Sequence, residues 1–448
     1  MSYTPHTAAD KEQMLGAIGI RSVDDLLRHI PQSLRSRAKI HLPDGVSELK
    51  VRQELAALAA KNAAANDWDL FLGGGIYHHF IPSAVDAIIS RAEFSTSYTP
   101  YQPEVSQGTL QVLFEYQTLV CQLTGMEVSN AGVYDGASAA AEAVLMARRI
   151  QPSTRRRVLV SRALHPQYRA VVATYLRNLT DLNLEEIPFD ASGLTDVDQL
   201  SRQLNDHTMC VLVGYPNFFG VIENLAPMRE LCDRAGAQLI TSTTEPLAFG
   251  LLKPPGAFGI DIAVGEGQSL GVPMALGGPG FGFFATQRKF MRNLPGRLVG
   301  ETVDSEGNRG YVLTLATREQ HIRRERATSN ICTSQTLCTT AATVYMALLG
   351  KIGLRRLAEI NVERAHEAHD RLLAGAKVEP CFAAPFFNEF VVRGKHLDDL
   401  MRRCSERKMI PGIVLARWYP ELPDSLLVCV TEMNDREGID RLVSAVSG

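Results

Sequence analysis

The chain has 448 residues, room for two large domains or about three of ordinary size. Hydrophobic residues make up 45% and charged ones 21%, an ordinary globular mix, and 46 Lys+Arg against 49 Asp+Glu leave a net charge of −3, so neither a nucleic acid nor an anionic membrane is expected as partner. The eight cysteines form no C-x-x-C pair and no His/Cys cluster has ligand spacing, so neither a disulfide framework nor a metal site is expected.

Residues 1–70 read as a helical N-terminal arm, with helices over 10–20, 22–30 (ended by Pro31) and 47–64. From 71 the chain turns to glycine-punctuated loops, Gly73-Gly74-Gly75 and then a polar aromatic stretch from Ser95 to Gly108. Leu110, Leu113, Phe114, Gln117, Val120, Cys121 and Thr124 recur at helical spacing over 108–124, and a second helix runs from Gly136 to Arg149. Strands over 158–161, 184–188, 209–215, 238–243, 261–265 and 280–286 then alternate with helices over 165–178, 196–205 and 224–235. That rhythm predicts an α/β domain over 71–345, with a mainly parallel sheet covered by helices on both faces. Residues 346–448 read as a small α+β domain: helix 354–374, strand 387–392, helix 396–407, strands near 413–416 and 425–431, and helix 434–446. This is the order of elements in the fold type I pyridoxal-phosphate (PLP) transferase-like enzymes. No apolar run approaches the roughly 18 residues of a membrane span, and Met1 to Asp10 lack an apolar signal core, so a cytoplasmic protein is expected.

Such a fold binds ligands at the carboxyl ends of its strands. A PLP site there needs a helix N-terminus for the phosphate, and Gly136-Ala137-Ser138 fits, with Asp135 or the Ser138 hydroxyl to cap; an ordinary N-cap fits equally well. His165 stands where a stacking group belongs, although a structural histidine is the commoner reading. The carboxylate expected at the end of strand 238–243 is missing, and Glu245 is the nearest acid. Most decisive is the amine, because only a lysine forms the Schiff base. The ten lysines stand at 11, 39, 50, 61, 253, 289, 351, 377, 395 and 408, and the expected position reads Gly265-Glu266-Gly267-Gln268-Ser269-Leu270-Gly271. Lys253 and Lys289 read as solvated charges. A PLP scaffold without its covalent anchor is the expectation.

Phe94 to Gly108 contains Tyr98-Thr99-Pro100-Tyr101-Gln102-Pro103-Glu104-Val105-Ser106-Gln107-Gly108 and resembles the Y-T-P-Y-Q-x-E-x-x-Q-G signature of the glycine decarboxylase P-protein family. The strings Asn130 to Ala137, Tyr215 to Gly220, Gly265 to Gly271 and Ala327 to Thr333 are similar to the same family, specifically its N-terminal-half form in bacteria that split the enzyme. Gly132 departs from it, since serine is frequent there. The resemblance implies a complex in which a PLP-bearing second subunit holds the lysine, glycine is decarboxylated, and an aminomethyl group passes to the lipoyl arm of H-protein, with T-protein and L-protein as functional partners. It implies that Gln268 and Ser269 mark an emptied lysine position, and that His165 and Asn217 are relics of a pocket. Fold type I sites lie at dimer interfaces, so Tyr98, Thr99, Tyr101, Glu104 and Gln107 are placed to serve the partner's site or to rigidify the interface. Symmetry makes a two-fold pairing of heterodimers, a heterotetramer, the expected assembly. The alternatives are a self-sufficient PLP enzyme using Lys253 or Lys289, and a non-catalytic docking subunit.

Overall fold

The computed structural model describes residues 5–38, 42–375 and 378–447, and the chain divides after Ala64 into two compact units. The first unit is helical: Ala8–Ile18, Val23–Leu26, Gln32–Arg35 and Glu48–Ala59. Local sequence accounts for two of its starts. Thr7 with Asp10, and Ser22 with Asp25, form reciprocal capping boxes that satisfy helix-end N–H groups. None of its described residues is buried, and apolar side chains such as Ile18, Leu42 and Leu49 are exposed.

The second unit opens with strand β1 (Asp69–Leu70). Its main sheet contains β2 (Val128–Ser129), β3 (Arg157–Ser161), β4 (Asn183–Ile187), β5 (Thr208–Gly214), β6 (Gln238–Thr243), β7 (Ile262–Glu266) and β8 (Gly282–Thr286), in the order β2-β8-β7-β6-β5-β3-β4. Strands β3 to β7 are parallel; β8 is antiparallel to both neighbours. Every residue of central β5 is buried, as expected of a parallel strand covered on both faces. Edge strand β4 instead keeps two acids, and Arg157 pairs with Glu185 at 2.6 Å.

Strand alternation divides the core between the two faces. Val158, Val160, Leu212, Ile240, Ile262 and Val264 pack with Ala139, Ala143, Val144 and Met146 of helix Gly136–Ile150. Leu159, Val211, Val213, Leu239 and Ala263 point the other way, toward Tyr116 and Val120 of helix Gln107–Thr124 and Ala341 and Tyr345 of helix Thr336–Gly375. Each such aliphatic side chain contributes about 1.5–3 kcal/mol of burial. Small alanines at the start of the 136–150 helix let its axis sit close against the sheet.

Between 287 and 345 the sequence predicts no element, yet β9 (Leu298–Val303) and β10 (Arg309–Thr314) form an antiparallel hairpin. Its strands are largely half-buried or exposed, so their alternation is weak; the turn is tied by Asp304, whose Oδ1 accepts from the Glu306 and Asn308 amides at 2.9 and 2.8 Å. The helix expected over 354–374 begins at Thr336 and breaks at Gly350, where φ is +56°. It spans the expected 345/346 boundary. It is long and apolar enough to cross a membrane, but Ala341, Ala342, Tyr345 and Met346 bury its apolar half in the core.

The C-terminal part holds β11 (Val378–Pro380), β12 (Glu389–Gly394), β13 (Met409–Ile410), β14 (Ile413–Val414) and β15 (Ser425–Cys429) with helices Leu397–Glu406 and Arg436–Ser447. Strands β11-β12-β15-β14 form one antiparallel sheet. Residues 69–70, read from sequence as part of the arm, pair through β1 with β13. Truncating Leu212, fully buried in β5, to alanine should cost about 2–5 kcal/mol in urea unfolding. Ile352→Ala, at a position 85% exposed, should stay within about 0.5 kcal/mol.

Candidate functional site

The carboxyl ends of β3, β5, β6 and β7 lie along one edge of the sheet, and the turns after them carry His165, Asn217, Thr244, Glu245 and Gln268. Residues 73–80 cross this edge as a strap. Gly74 and Gly75 let it bend, with φ of +67° and +105°. His165 Nε2 donates to the Gly74 carbonyl at 2.7 Å, while Nδ1 accepts from the Gln167 amide and caps helix Pro166–Leu176. That pattern needs the neutral ring, and burial pushes the His165 pKa down to about 4. Tyr168 and Phe218 hold the imidazole with centroids 4.8 Å away.

Further along the strap, Gln268 accepts from the Tyr77 amide at 2.8 Å and donates to the Tyr77 and Val272 carbonyls. The Tyr77 hydroxyl bonds Thr244 at 3.1 Å and Glu389 at 2.9 Å, and Glu389 also accepts from the Gly74 amide. His79 stands between Glu245 and Glu432, 2.8 Å from each, with its ring and the Glu245 carboxylate buried. Glu432 accepts in addition from the Phe80 amide and from Asn361. Burial opposes a charge on His79, but the two carboxylates override it and raise its pKa to about 10. Burial likewise opposes ionisation of Glu432, yet His79 pulls it down to about 2.

At the helix N-terminus, the Asp135 carboxylate accepts from the Ser138 amide at 2.7 Å. The first amide, Gly136 N–H, donates to Glu266 at 2.9 Å, and the other Glu266 oxygen accepts from Phe281 N–H at 3.1 Å. Burial raises Glu266 to about 7, against these two hydrogen bonds. The strap and helix start thus unite Gly136, His165 and Gln268. Asn217 is separate: it donates to Gly193 and Glu223 and accepts from the Phe219 and Val221 amides, shaping its own turn. Ser269 is buried with no hydrogen-bond partner for its hydroxyl. Sequence reasoning gives no role to Tyr77, Glu266, Glu389 or Glu432. Only the Gly73-Gly74-Gly75 run preceding an aromatic and two histidines hints that backbone approaches something closely there.

The 95–108 loop is a second cluster. Tyr98 is 82% exposed and Glu104 exposed, whereas Tyr101 lies under the Arg297 guanidinium, 5.1 Å from its ring centre, and edge-on to His321. Arg297 also donates to the Tyr101 hydroxyl and to the Cys332 carbonyl. Thr99 is half-buried, and its carbonyl accepts from the Tyr101 amide. Gln107 is fully engaged: its amide group binds the Tyr311 N–H and the carbonyls of Tyr311 and Pro103. It fastens the loop to the hairpin instead of presenting a free group. Lys253 and Lys289 are exposed and rest over Phe258 and Phe290; Lys39 and Lys377 lie outside the described residues. No metal-binding group of His, Cys, Asp or Glu exists among the described residues.

These shifts set a pH dependence. Glu266, Glu389 and Glu223 have folded pKa values raised by burial to about 7, so stability is lost as pH rises from 4.5 through 7. The His79 contribution is present below 6.5 and lost toward 10, and that of Glu432 is present above 4.5 and lost toward 2. Calorimetric Tm should peak at about pH 4–4.5 and decline to pH 9, with Glu389→Gln shallowing the slope between about pH 5 and 8; a flat profile contradicts this reading.

Three comparisons bear on identity. The family model described as glycine cleavage system P-protein matches residues 1–446. A probable glycine dehydrogenase (decarboxylating) subunit 1 from Carboxydothermus hydrogenoformans is 47% identical over 450 aligned positions, covering 100% of both chains. One of the same description from Anaeromyxobacter dehalogenans is 49% identical over 449, again covering 100% of both. The crystal structure of a glycine decarboxylase (P-protein) of the glycine cleavage system, in inhibitor-bound form, superposes with a TM-score of 0.92 at 44% identity, over 100% of this chain and 99% of that one. A sphingosine-1-phosphate lyase from Burkholderia pseudomallei, at 15% identity and TM-score 0.67 over 91% and 92% of the two chains, shares the fold alone. The architecture is that of fold type I PLP-dependent enzymes. Matched from end to end, the chain belongs to the glycine cleavage system P-protein family.

Proposed function

We propose that this chain is the lysine-less subunit 1 of a heteromeric P-protein, which decarboxylates glycine and transfers the aminomethyl group to the lipoyl arm of H-protein. The observation carrying the assignment is the pairing of an end-to-end family match with Gln268 at the turn where the fold's lysine belongs. In this reading subunit 2 holds the cofactor, T-protein and L-protein are functional partners downstream, and the complex is a cytoplasmic heterotetramer. Eight free cysteines support a reducing compartment.

Pyridoxal phosphate on the partner supplies the electron sink for loss of the glycine carboxylate. This chain's part is positioning. Tyr98 and Tyr101 offer an aromatic edge, held by Arg297 and by the Gln107 clamp, that excludes water when laid against the partner's site. The exposed Glu104 carboxylate is free to orient a donor across the interface. Two readings compete. A self-sufficient enzyme needs Lys253 or Lys289, but both are exposed, and Lys289 follows antiparallel β8, whose carboxyl end lies at the opposite edge of the sheet from those of β3, β5, β6 and β7. A non-catalytic docking subunit needs the loop to affect assembly alone.

Glycine–carbon dioxide exchange tests all three. The isolated chain should be inactive, and mixing with subunit 2 should restore exchange; exchange unchanged by omitting this chain contradicts the proposal. Tyr98→Ala and Tyr101→Ala should lower exchange per assembled complex by about 10-fold or more. Weakened assembly with unchanged turnover per complex supports the docking reading instead.

A further inference from the structure

The fold's cofactor slot makes three demands on a chain: an anion place at a helix N-terminus, a flat space beside the stacking histidine, and an amine. Here each is already taken by the chain itself. At the 136–150 helix start, the Gly136 N–H that would face a phosphate donates to Glu266 at 2.9 Å. Glu266 is buried, its second oxygen is bound by Phe281 N–H, and it stands at the end of β7, inside the same edge. A carboxylate or carboxyl oxygen therefore fills the anion place.

Around His165, the strap backbone takes the Nε2 edge of the ring, and Tyr168 and Phe218 pack against the ring with centroids 4.8 Å away. The ring bonds the Gly74 carbonyl at 2.7 Å, and a Cβ added at Gly75 would lie 3.1 Å from Nε2 on a backbone of φ +105°, a tight and strained placement that favours glycine. At the turn, Gln268 receives the Tyr77 amide and donates to the Tyr77 carbonyl, the two-way bond that one strand makes to another. The far end of the strap is anchored by His79 between Glu245 and Glu432. These residues do not fit bound pyridoxal phosphate, and the misfit goes well beyond one missing lysine.

We propose that the strap 73–80 and Glu266 are a built-in occupant of the cofactor slot, closing it to pyridoxal phosphate and to inorganic phosphate. The consequence is a fold whose stability is independent of cofactor supply. The inference concerns the isolated chain and does not depend on the assignment to subunit 1.

The test uses the full-length chain alone. Gln268→Lys restores the amine. After incubation with pyridoxal phosphate, borohydride reduction and peptide mapping, no pyridoxyl tag is expected at position 268 beyond the level of surface lysines. A stoichiometric tag there, with Schiff-base absorbance, overturns the proposal. Glu266→Ala gives an independent readout that needs no lysine. Inorganic phosphate should raise the Tm of Glu266→Ala in a saturable way and leave the wild-type Tm unmoved; equal protection of both, or of neither, removes Glu266 from the anion place. Should Gln268→Lys fail to fold by circular dichroism, the phosphate arm alone decides.

Discussion

A parallel sheet leaves a row of turns at its carboxyl edge, and in this protein that edge is occupied by a segment from far upstream, residues 73–80, whose polar groups are bound by turns from three strands. The buried imidazolium of His79 anchors it. Glu245 comes from the end of β6 and Glu432 from just beyond β15, so a single ring joins the main sheet to the C-terminal part of the unit. Removing one member of such a buried set leaves uncompensated charge worth about 3–5 kcal/mol. The ring thereby ties the two sides of the unit together alongside their apolar packing. Tyr77 and Glu389 add a second link of the same kind one residue pair upstream.

That arrangement explains how a chain with a transferase-like fold can lack a lysine in the 265–271 turn and still be well packed. A slot that has lost its cofactor leaves N–H and C=O groups without partners, each costly when buried. Glu266, Gln268 and the strap supply those partners, and the glycines at 74 and 75 let backbone come close enough to do so. The architecture is thereby retained, and with it the base on which the 95–108 loop stands. Fold and function separate here in the usual way: the scaffold persists and the site decides.

The loop itself is more rigid than its exposure suggests. Gln107 ties its end to the β9–β10 hairpin, and Arg297 joins Tyr101 to the 327–333 string through the Cys332 carbonyl. Two of the strings by which the family is recognised thus meet in space although some 220 positions separate them. Tyr98 and Glu104 stand out from this base into solvent. Few rotatable bonds and a fixed base mean little entropy is lost when a partner covers such a surface.

Much of this was legible in the chain itself. Strand–helix alternation with buried, branched residues determines a covered parallel sheet, and five of its parallel strands fall within a residue or two of where periodicity puts them. The lysine inventory determines that no lysine stands in the turn from Gly265 to Gly271, because composition is a fact that packing cannot alter. Tertiary structure alone decided the rest. The β9–β10 hairpin has too little burial to impress a period on its sequence, and the 336–375 helix hides its start in a threonine-rich stretch that propensity disfavours. Nothing local marks Glu266 as a helix cap or His79 as an ion bridge, since each partner is more than a hundred residues away. Their roles arise only when burial raises the cost of an unpaired charge and folding brings the partner within about 3 Å.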